Sequence, residues 1–236
     1  MFNIVEYPVP QDYFKSNNQS IEIAKKRHSG NQKQLTEVGR EDLYWLWEIV
    51  QKIGKGKMVE CGVARGGCLA ICSKANPELN IIGLDSWEGM PNITNRDNRN
   101  ICLPQVGTTW GTIDDVYNSF KIIGASTDKL TLIKGFVQKT IPTNLELFHD
   151  LDILRIDTDF YESVKFCLDT LYDYVKPGGL VILDDWGFNP DGVQGAVNDF
   201  FKSKNINPEI QIHKLDTLWH QGRYKGPARF WKPKII

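Results

Sequence analysis

Two short apolar runs, Leu151-Asp-Ile-Leu-Arg-Ile156 and Leu180-Val-Ile-Leu183, each end in aspartate: Asp157 after the first, Asp184 and Asp185 after the second. Runs this short and this apolar read as strands buried on both faces, the signature of a parallel sheet. In an open α/β sheet, ligands bind at the carboxyl ends of the strands. Two neighbouring strands would then deliver three carboxylates to one mouth, a concentration of negative charge that calls for a cation. A hard divalent ion such as Mg²⁺ takes oxygen ligands and keeps waters that a substrate can replace. A single strand-end aspartate is commonly a turn or cap residue. Three converging ones point to a metal.

The remaining chain alternates in the same way. Leu43, Leu46, Trp47 and Val50 form one stripe of a helix over Glu41–Ile53, ended by Gly54-Lys55-Gly56. Strands are expected at Lys57–Cys61, at Leu79–Leu84 ending on Asp85, at Leu130–Lys134, at 209–213 and at 228–232, besides the two above. Helices are expected from Gly66-Gly67 to Ala75, over Asp114–Ile123, Thr140–Phe148, 162–175 and 193–203, with Pro177-Gly178-Gly179 as a stop. Strands alternating with helices of this length predict a doubly wound, Rossmann-like, mainly parallel sheet of seven strands. Residues 1–40 are polar and without period, and read as an N-terminal arm with short helical pieces that covers the site or packs on a second subunit; residues 41–236 form the main domain. The polar stretch Glu88–Thr112 is long for a compact domain and reads as a lid or substrate loop.

Bulk properties exclude several functions. A net charge of −1 lacks the basic surplus of a nucleic-acid-binding chain. No apolar run reaches the roughly 20 residues that span a bilayer, and the N-terminus lacks the layout of a signal peptide. Five cysteines, Cys61, Cys68, Cys72, Cys102 and Cys167, form no CxxC pair and read as reduced thiols of a cytoplasmic protein. With only four histidines, none at ligand spacing to a cysteine, a zinc site is not expected.

Val59-Glu-Cys-Gly-Val-Ala-Arg-Gly-Gly67 reads as a nucleotide-binding turn. Gly62 lets the chain bend off the strand, and Gly66 and Gly67 allow close backbone approach at a helix N-terminus. The spacing is GxxxGG, not the GxGxxG of dinucleotide enzymes. Glu60 would repel a pyrophosphate and suits a cationic ligand; S-adenosylmethionine, with its sulfonium and α-amino group, is one. Asp85, at the end of the next strand, is placed to bond a ribose hydroxyl.

Together, VECGVARGG (59–67), LDSWEGMP (84–91), LRIDTDFYES (154–163) and KPGGLVILDDWG (176–187) resemble the macrocin O-methyltransferase family. The likeness continues through Gly195–Phe200 and Ala228–Lys232 and so covers about residues 40–232. It departs from the family pattern at Ala64, where an aromatic residue is usual, at Thr158, where glycine is favoured, and at Trp87, where phenylalanine is. The resemblance implies a class I methyltransferase fold, S-adenosylmethionine and Mg²⁺ as cofactors, and a sugar hydroxyl on a natural product as acceptor. It implies that Asp157, Asp184 and Asp185 bind the metal, and that Glu60, Gly62, Arg65, Gly66 and Asp85 form the cofactor site with Ser86 and Trp87 beside the ribose.

Within that frame, Arg65 is expected to hold the methionine carboxylate, and Gly135 and Phe136 to approach the adenine. Asp157 is the expected general base, with Asp159 a rival whose alternation along the strand points it elsewhere. Trp110 and Trp186 are expected to contact the acceptor, Trp186 having core packing as its alternative. His149 and His213 read as surface or packing residues, and Glu162 as a helix-cap residue. The expected partners are a small-molecule acceptor, a glycoside before a catechol-like phenol or other vicinal diol, and a second copy of the chain. A non-catalytic cofactor-binding protein and a nicotinamide dehydrogenase are the other readings, opposed by the aspartate trio and by the missing GxGxxG.

Overall fold

The computed structural model describes residues 3–8, 18–26, 34–97, 106–187, 189–214 and 227–233. The strands are β1 (Asn3–Pro8), β2 (Lys57–Cys61), β3 (Asn80–Asp85), β4 (Leu130–Lys134), β5 (Leu151–Ile156), β6 (Val175–Leu183), β7 (Glu209–Lys214) and β8 (Ala228–Trp231). They form one sheet in the order β1-β7-β8-β6-β5-β2-β3-β4, parallel except for β8, which runs against β6 and β7. Seven of these are the expected strands. The eighth, β1, comes from the N-terminal arm and pairs in parallel with β7, Asn3 opposite Glu209. The arm therefore supplies a strand as well as a helix. No local pattern predicts it, because its partner lies some two hundred residues away.

Helices α1 (Gln19–Lys25), α2 (Arg40–Ile53), α3 (Gly67–Ala75), α4 (Ile113–Ile123), the one-turn α5 (Val137–Thr140), α6 (Tyr161–Leu171) and α7 (Gly195–Lys204) cover the sheet. Strand alternation divides the core into two layers. Met58, Ile81, Ile153, Leu180 and Ile182 face α1 to α4. Val59, Ile82, Leu154, Val181 and Leu183 face α6 and α7. Cys61, Cys68, Cys72 and Cys167 are free and buried, as expected of core thiols; Cys102 lies outside the described residues. Among the described residues, no helix is long and apolar enough to cross a membrane.

Three expected boundaries are corrected. The helix over Thr140–Phe148 is only α5 and a separate 3₁₀ turn at Leu145–Leu147. Thr143 Oγ1 donates to the carbonyls of Lys139 and Thr140, and Asn144 Nδ2 to that of Thr140, so side chains take the bonds that helical amides would have made. Pro177-Gly178-Gly179 does not precede β6 but lies within it. Pairing to β5 jumps from Leu151–Val175 to Ile153–Leu180, and Gly178, at φ +81°, turns out of the ladder to donate to Lys232 O at 2.7 Å. The helix expected over 162–175 ends at Leu171 and tightens to a 3₁₀ turn over Tyr172–Tyr174.

Candidate active site

Strand order reverses between β2 and β5: β3 and β4 follow on one side, β6 on the other. This is the switch point at which open α/β sheets bind ligands. A cavity of about 320 Å³ lies across it, and its lining includes Gly62, Asp85, Asp157, Asp184 and Asp185 from four strand ends.

At the β2 end, Gly62 has φ +90°, and a Cβ there would stand 1.7 Å from Asp157 O. Its amide donates to Leu84 O at 2.8 Å, so the turn sits between β3 and β5 with no room for a side chain. Gly66, at φ +74°, caps α3, and a Cβ there would press on Val116. Asp85 holds this turn open. Its Oδ2 accepts from Val63 N and Ala64 N, both at 2.8 Å, and its Oδ1 from Trp87 N at 2.8 Å. Asp85 also lines the cavity, where a lone pair of Oδ1 remains for a hydroxyl. Ser86 Oγ donates to Gly89 O, and Trp87 Nε1 to Ala64 O. Gly135 donates its amide to Asp85 O at 2.8 Å, which brings Gly135 and Phe136 to the same wall.

At the β5 and β6 ends, oxygens of Asp157, Asp184 and Asp185 lie within 4.8 Å of one another. The expected trio is thus assembled. Beneath it sits a residue the sequence reading passed over. Arg155 is buried, pairs with Glu60, and donates to Asp157 Oδ2 at 2.8 Å and Asp184 Oδ1 at 2.5 Å. Its signal was present: a guanidinium inside an otherwise apolar strand requires buried counter-charges.

Glu60 needs a corresponding correction. It lies in β2 and not in the turn, is 1% exposed, and is opposite Arg155 in the strand register. Its charge is answered first by Arg155, although it also lines the cavity. Burial pushes its carboxyl well above the usual range. Burial and the neighbouring carboxylates raise Asp157 to about 7, Asp159 to about 8, and Asp185 well above its ordinary value. Glu60, Asp157 and Asp184 share the one guanidinium of Arg155. Asp185 Oδ2 is buried without a hydrogen-bond partner, as is Glu60 Oε2. An unsatisfied buried carboxylate oxygen on a residue clustered with two other aspartates fits an oxygen-seeking divalent cation.

Asp159 is not turned away as strand alternation suggested. The chain leaves β geometry after Ile156, and Asp159 takes φ +61°, which directs it into the cavity wall beside Asp185. A buried polar clamp supports this backbone. Asn189 Nδ2 donates to Asp159 O at 2.8 Å and to Asp97 Oδ1 at 3.1 Å. Asp97 Oδ1 also accepts from Tyr161 N at 2.9 Å, capping α6 from the long loop. Thr94 donates to Asp97 Oδ2 through its amide and hydroxyl. The expected cap, Glu162, lies in the first turn of α6, but no side chain of its own segment caps the helix.

One further expectation changes. Trp186 does not wall the cavity; it is 2% exposed and packs in the core on the α6–α7 side. Trp110 is 39% exposed and lines the cavity, in keeping with a ligand-facing role. The Arg65 guanidinium is engaged by Gln34 O, Trp110 O and the Glu37 carboxylate, all from its own chain. His149 is exposed, edge-on to Tyr174. Only the backbone of His213 lies within the described residues.

Comparison with known proteins agrees with this geometry. Residues 8–221 match the family model of macrocin O-methyltransferases, TylF. The chain is 29% identical over 207 residues to the 8-demethyl-8-(2,3-dimethoxy-alpha-L-rhamnosyl)-tetracenomycin-C 4'-O-methyltransferase of Streptomyces olivaceus, covering 83% of this chain and 77% of that one. It is 27% identical to the mycinamicin III 3''-O-methyltransferase of Micromonospora griseorubida, covering 70% and 68%. Among solved structures, the O-methyltransferase NovP superposes with a TM-score of 0.70 at 21% identity, covering 91% of this chain and 88% of that one. The O-methyltransferase of Bacillus cereus in complex with SAH superposes with a TM-score of 0.61 at 13% identity, covering 94% of each chain. At such identities the superpositions show the fold, while the family match covers nearly the whole chain. The chain belongs to the macrocin O-methyltransferase family and is an S-adenosylmethionine-dependent O-methyltransferase.

Proposed function

We propose that the chain methylates a hydroxyl of a sugar or glycosylated small molecule in natural-product biosynthesis, and that the reaction depends on Mg²⁺. The observation that carries this reading is the Asp157-Asp184-Asp185 cluster, with the buried, unpartnered Oδ2 of Asp185, in the same cavity as the glycine turn. These three carboxylates would hold the ion, which when bound supplies a Lewis-acid site that lowers the pKa of an acceptor hydroxyl. The glycoside is favoured by the relatives' names, one of which specifies a rhamnosyl compound.

The chain's own groups divide the work. The 62–66 turn, Asp85, Ser86, Gly135 and Phe136 form the donor end of the cavity, and the ring of Trp110, whose backbone carbonyl bonds Arg65, is assigned to the acceptor. The spare lone pair of Asp85 takes a ribose hydroxyl. Positioning of the acceptor oxygen in line with the methyl group supplies most of the rate enhancement. Asp157, first choice as base from sequence, is tied to Arg155. Asp159 lines the same cavity, and its carboxyl is not the one bonded by that guanidinium, which suits proton acceptance better. Asp157 then serves as ligand and Asp159 as base.

Incubation with labelled S-adenosylmethionine, Mg²⁺ and a panel of glycosides and catechols tests the acceptor class. Label transferred to one or more glycosides is the expected result. Label transferred to catechols alone overturns the glycoside assignment.

A further inference from the structure

The guanidinium of Arg65 joins three separate pieces of chain around the donor end. Nε donates to Gln34 O at 2.6 Å, Nη1 to Trp110 O at 2.8 Å, and Nη2 to the Glu37 carboxylate. Gln34 and Glu37 belong to the strap between α1 and α2, while Trp110 lies on the returning limb of the long loop. Residues 35–38 of the strap and 108–111 of the loop both line the cavity.

Both pieces lie directly on the glycine turn. Gly67 N donates to Leu35 O at 3.1 Å, and a Cβ at Gly67 would come within 2.4 Å of that oxygen. A Cβ at Gly111 would come within 2.6 Å of Ala64 O. On its other side the strap is held by Lys25, whose Nζ donates to the carbonyls of Thr36, Glu37 and Val38 at 3.1, 3.3 and 2.9 Å. The Arg65 side chain is 9% exposed and its partner Glu37 61% exposed, so the pair closes at the surface over a buried stem.

We propose that Arg65 is a positioning residue that latches the 34–38 strap to the 108–111 loop limb over the bound donor, so that donor retention and release of S-adenosylhomocysteine run through this three-way contact. The inference rests on the donor-end reading above. It differs from a carboxylate-binding role for Arg65 in a way that Glu37 reveals. A latch needs Glu37, whereas a carboxylate-binding guanidinium would be freed for its ligand by removing Glu37. A fork with three differently directed acceptors also suits arginine and not lysine.

The test is the release rate and Kd of S-adenosylhomocysteine, measured on the full chain for wild type, Arg65→Ala, Arg65→Lys and Glu37→Ala. Arg65→Ala and Glu37→Ala are each expected to release the ligand about tenfold faster, a change of about 1.4 kcal/mol in affinity. Arg65→Lys should fall between them and wild type. In steady state, KM for S-adenosylmethionine should rise by a larger factor than kcat changes. Glu37 is exposed, so its variant keeps the test available if Arg65→Ala fails to fold. Unchanged or slower release from Glu37→Ala overturns the latch. A wild-type chain that binds no S-adenosylhomocysteine overturns the donor-end reading, and the latch with it.

Discussion

Glu60 and Arg155 are register partners on adjacent parallel strands, and they meet as an ion pair with side chains 1% and 2% exposed. The same guanidinium reaches forward to Asp157 and Asp184, so one buried cation ties Glu60 to two of the three clustered aspartates. A pair buried this deeply adds little net stability, yet losing one member is costly because the other charge is stranded. Replacing Arg155 with leucine should therefore lower unfolding free energy by about 3–5 kcal/mol. Adding Glu60→Gln to that variant should recover part of the loss, since the two residues are coupled. Urea denaturation of the single and double variants checks this, and strictly additive losses would count against the pairing.

Stability of the metal-free protein should fall as pH rises. Asp157 and Asp159 are raised in the folded chain to about 7 and about 8 from an ordinary 3.8. The folded state therefore binds more protons than the unfolded one between about pH 4 and 8. The stability these groups contribute is present below pH 4 and lost as pH climbs through their folded values. Each pKa unit corresponds to about 1.4 kcal/mol. Thermal melts across this range, with Asp159→Asn as reference, should show a steeper decline for wild type. Parallel curves would contradict the raised value at Asp159.

Asp97 binds the long loop to the segment that carries Asp159. Asp97→Ala removes the acceptor of Tyr161 N and one partner of Asn189, leaving buried donors unsatisfied at about 1–3 kcal/mol each. The expected outcome is a loss of about 2–4 kcal/mol in stability, together with a higher KM for the acceptor. Calorimetric melting and steady-state kinetics read the two effects, and a variant that melts like wild type would refute the clamp.

The two tryptophans separate cleanly. Trp186→Ala empties a core position and should cost about 3–5 kcal/mol. Trp110→Ala should change stability by less than about 0.5 kcal/mol, while raising acceptor KM about tenfold through lost ring contact. If Trp110→Ala leaves acceptor KM unchanged, that side of the cavity does not bind the acceptor.

What the sequence disclosed follows from which interactions are local. The apolar runs of β2 and β5 carry their own boundaries, and Asp157, Asp184 and Asp185 could be placed because strand ends follow from those runs. The partnership of Glu60 with Arg155 depends on which strands are neighbours, and a linear pattern does not reveal that. Alternation failed for Asp159 because it holds only while the backbone is extended, and here the chain turns to positive φ. Arg65 was picked out as a candidate by its place in the turn. Its partners lie 28 to 45 residues away in the strap and loop, and only the folded chain brings them together.

The most direct test of the account is a single substitution read in two ways. Asp185 contributes a buried oxygen without a hydrogen-bond partner, beside two other carboxylates. Burial raises the Asp185 carboxyl well above its ordinary value, and Asp185→Asn removes the charge it takes on at high pH, so the metal-free variant should melt higher than wild type once the pH is high enough to ionise that carboxyl. The same variant should lose calorimetric Mg²⁺ binding and methyl transfer that chelator suppresses in wild type. Opposite signs for stability and activity are the predicted result. Wild-type methyl transfer indifferent to chelator, or an Asp185→Asn variant that binds Mg²⁺ as wild type does, would contradict the metal assignment.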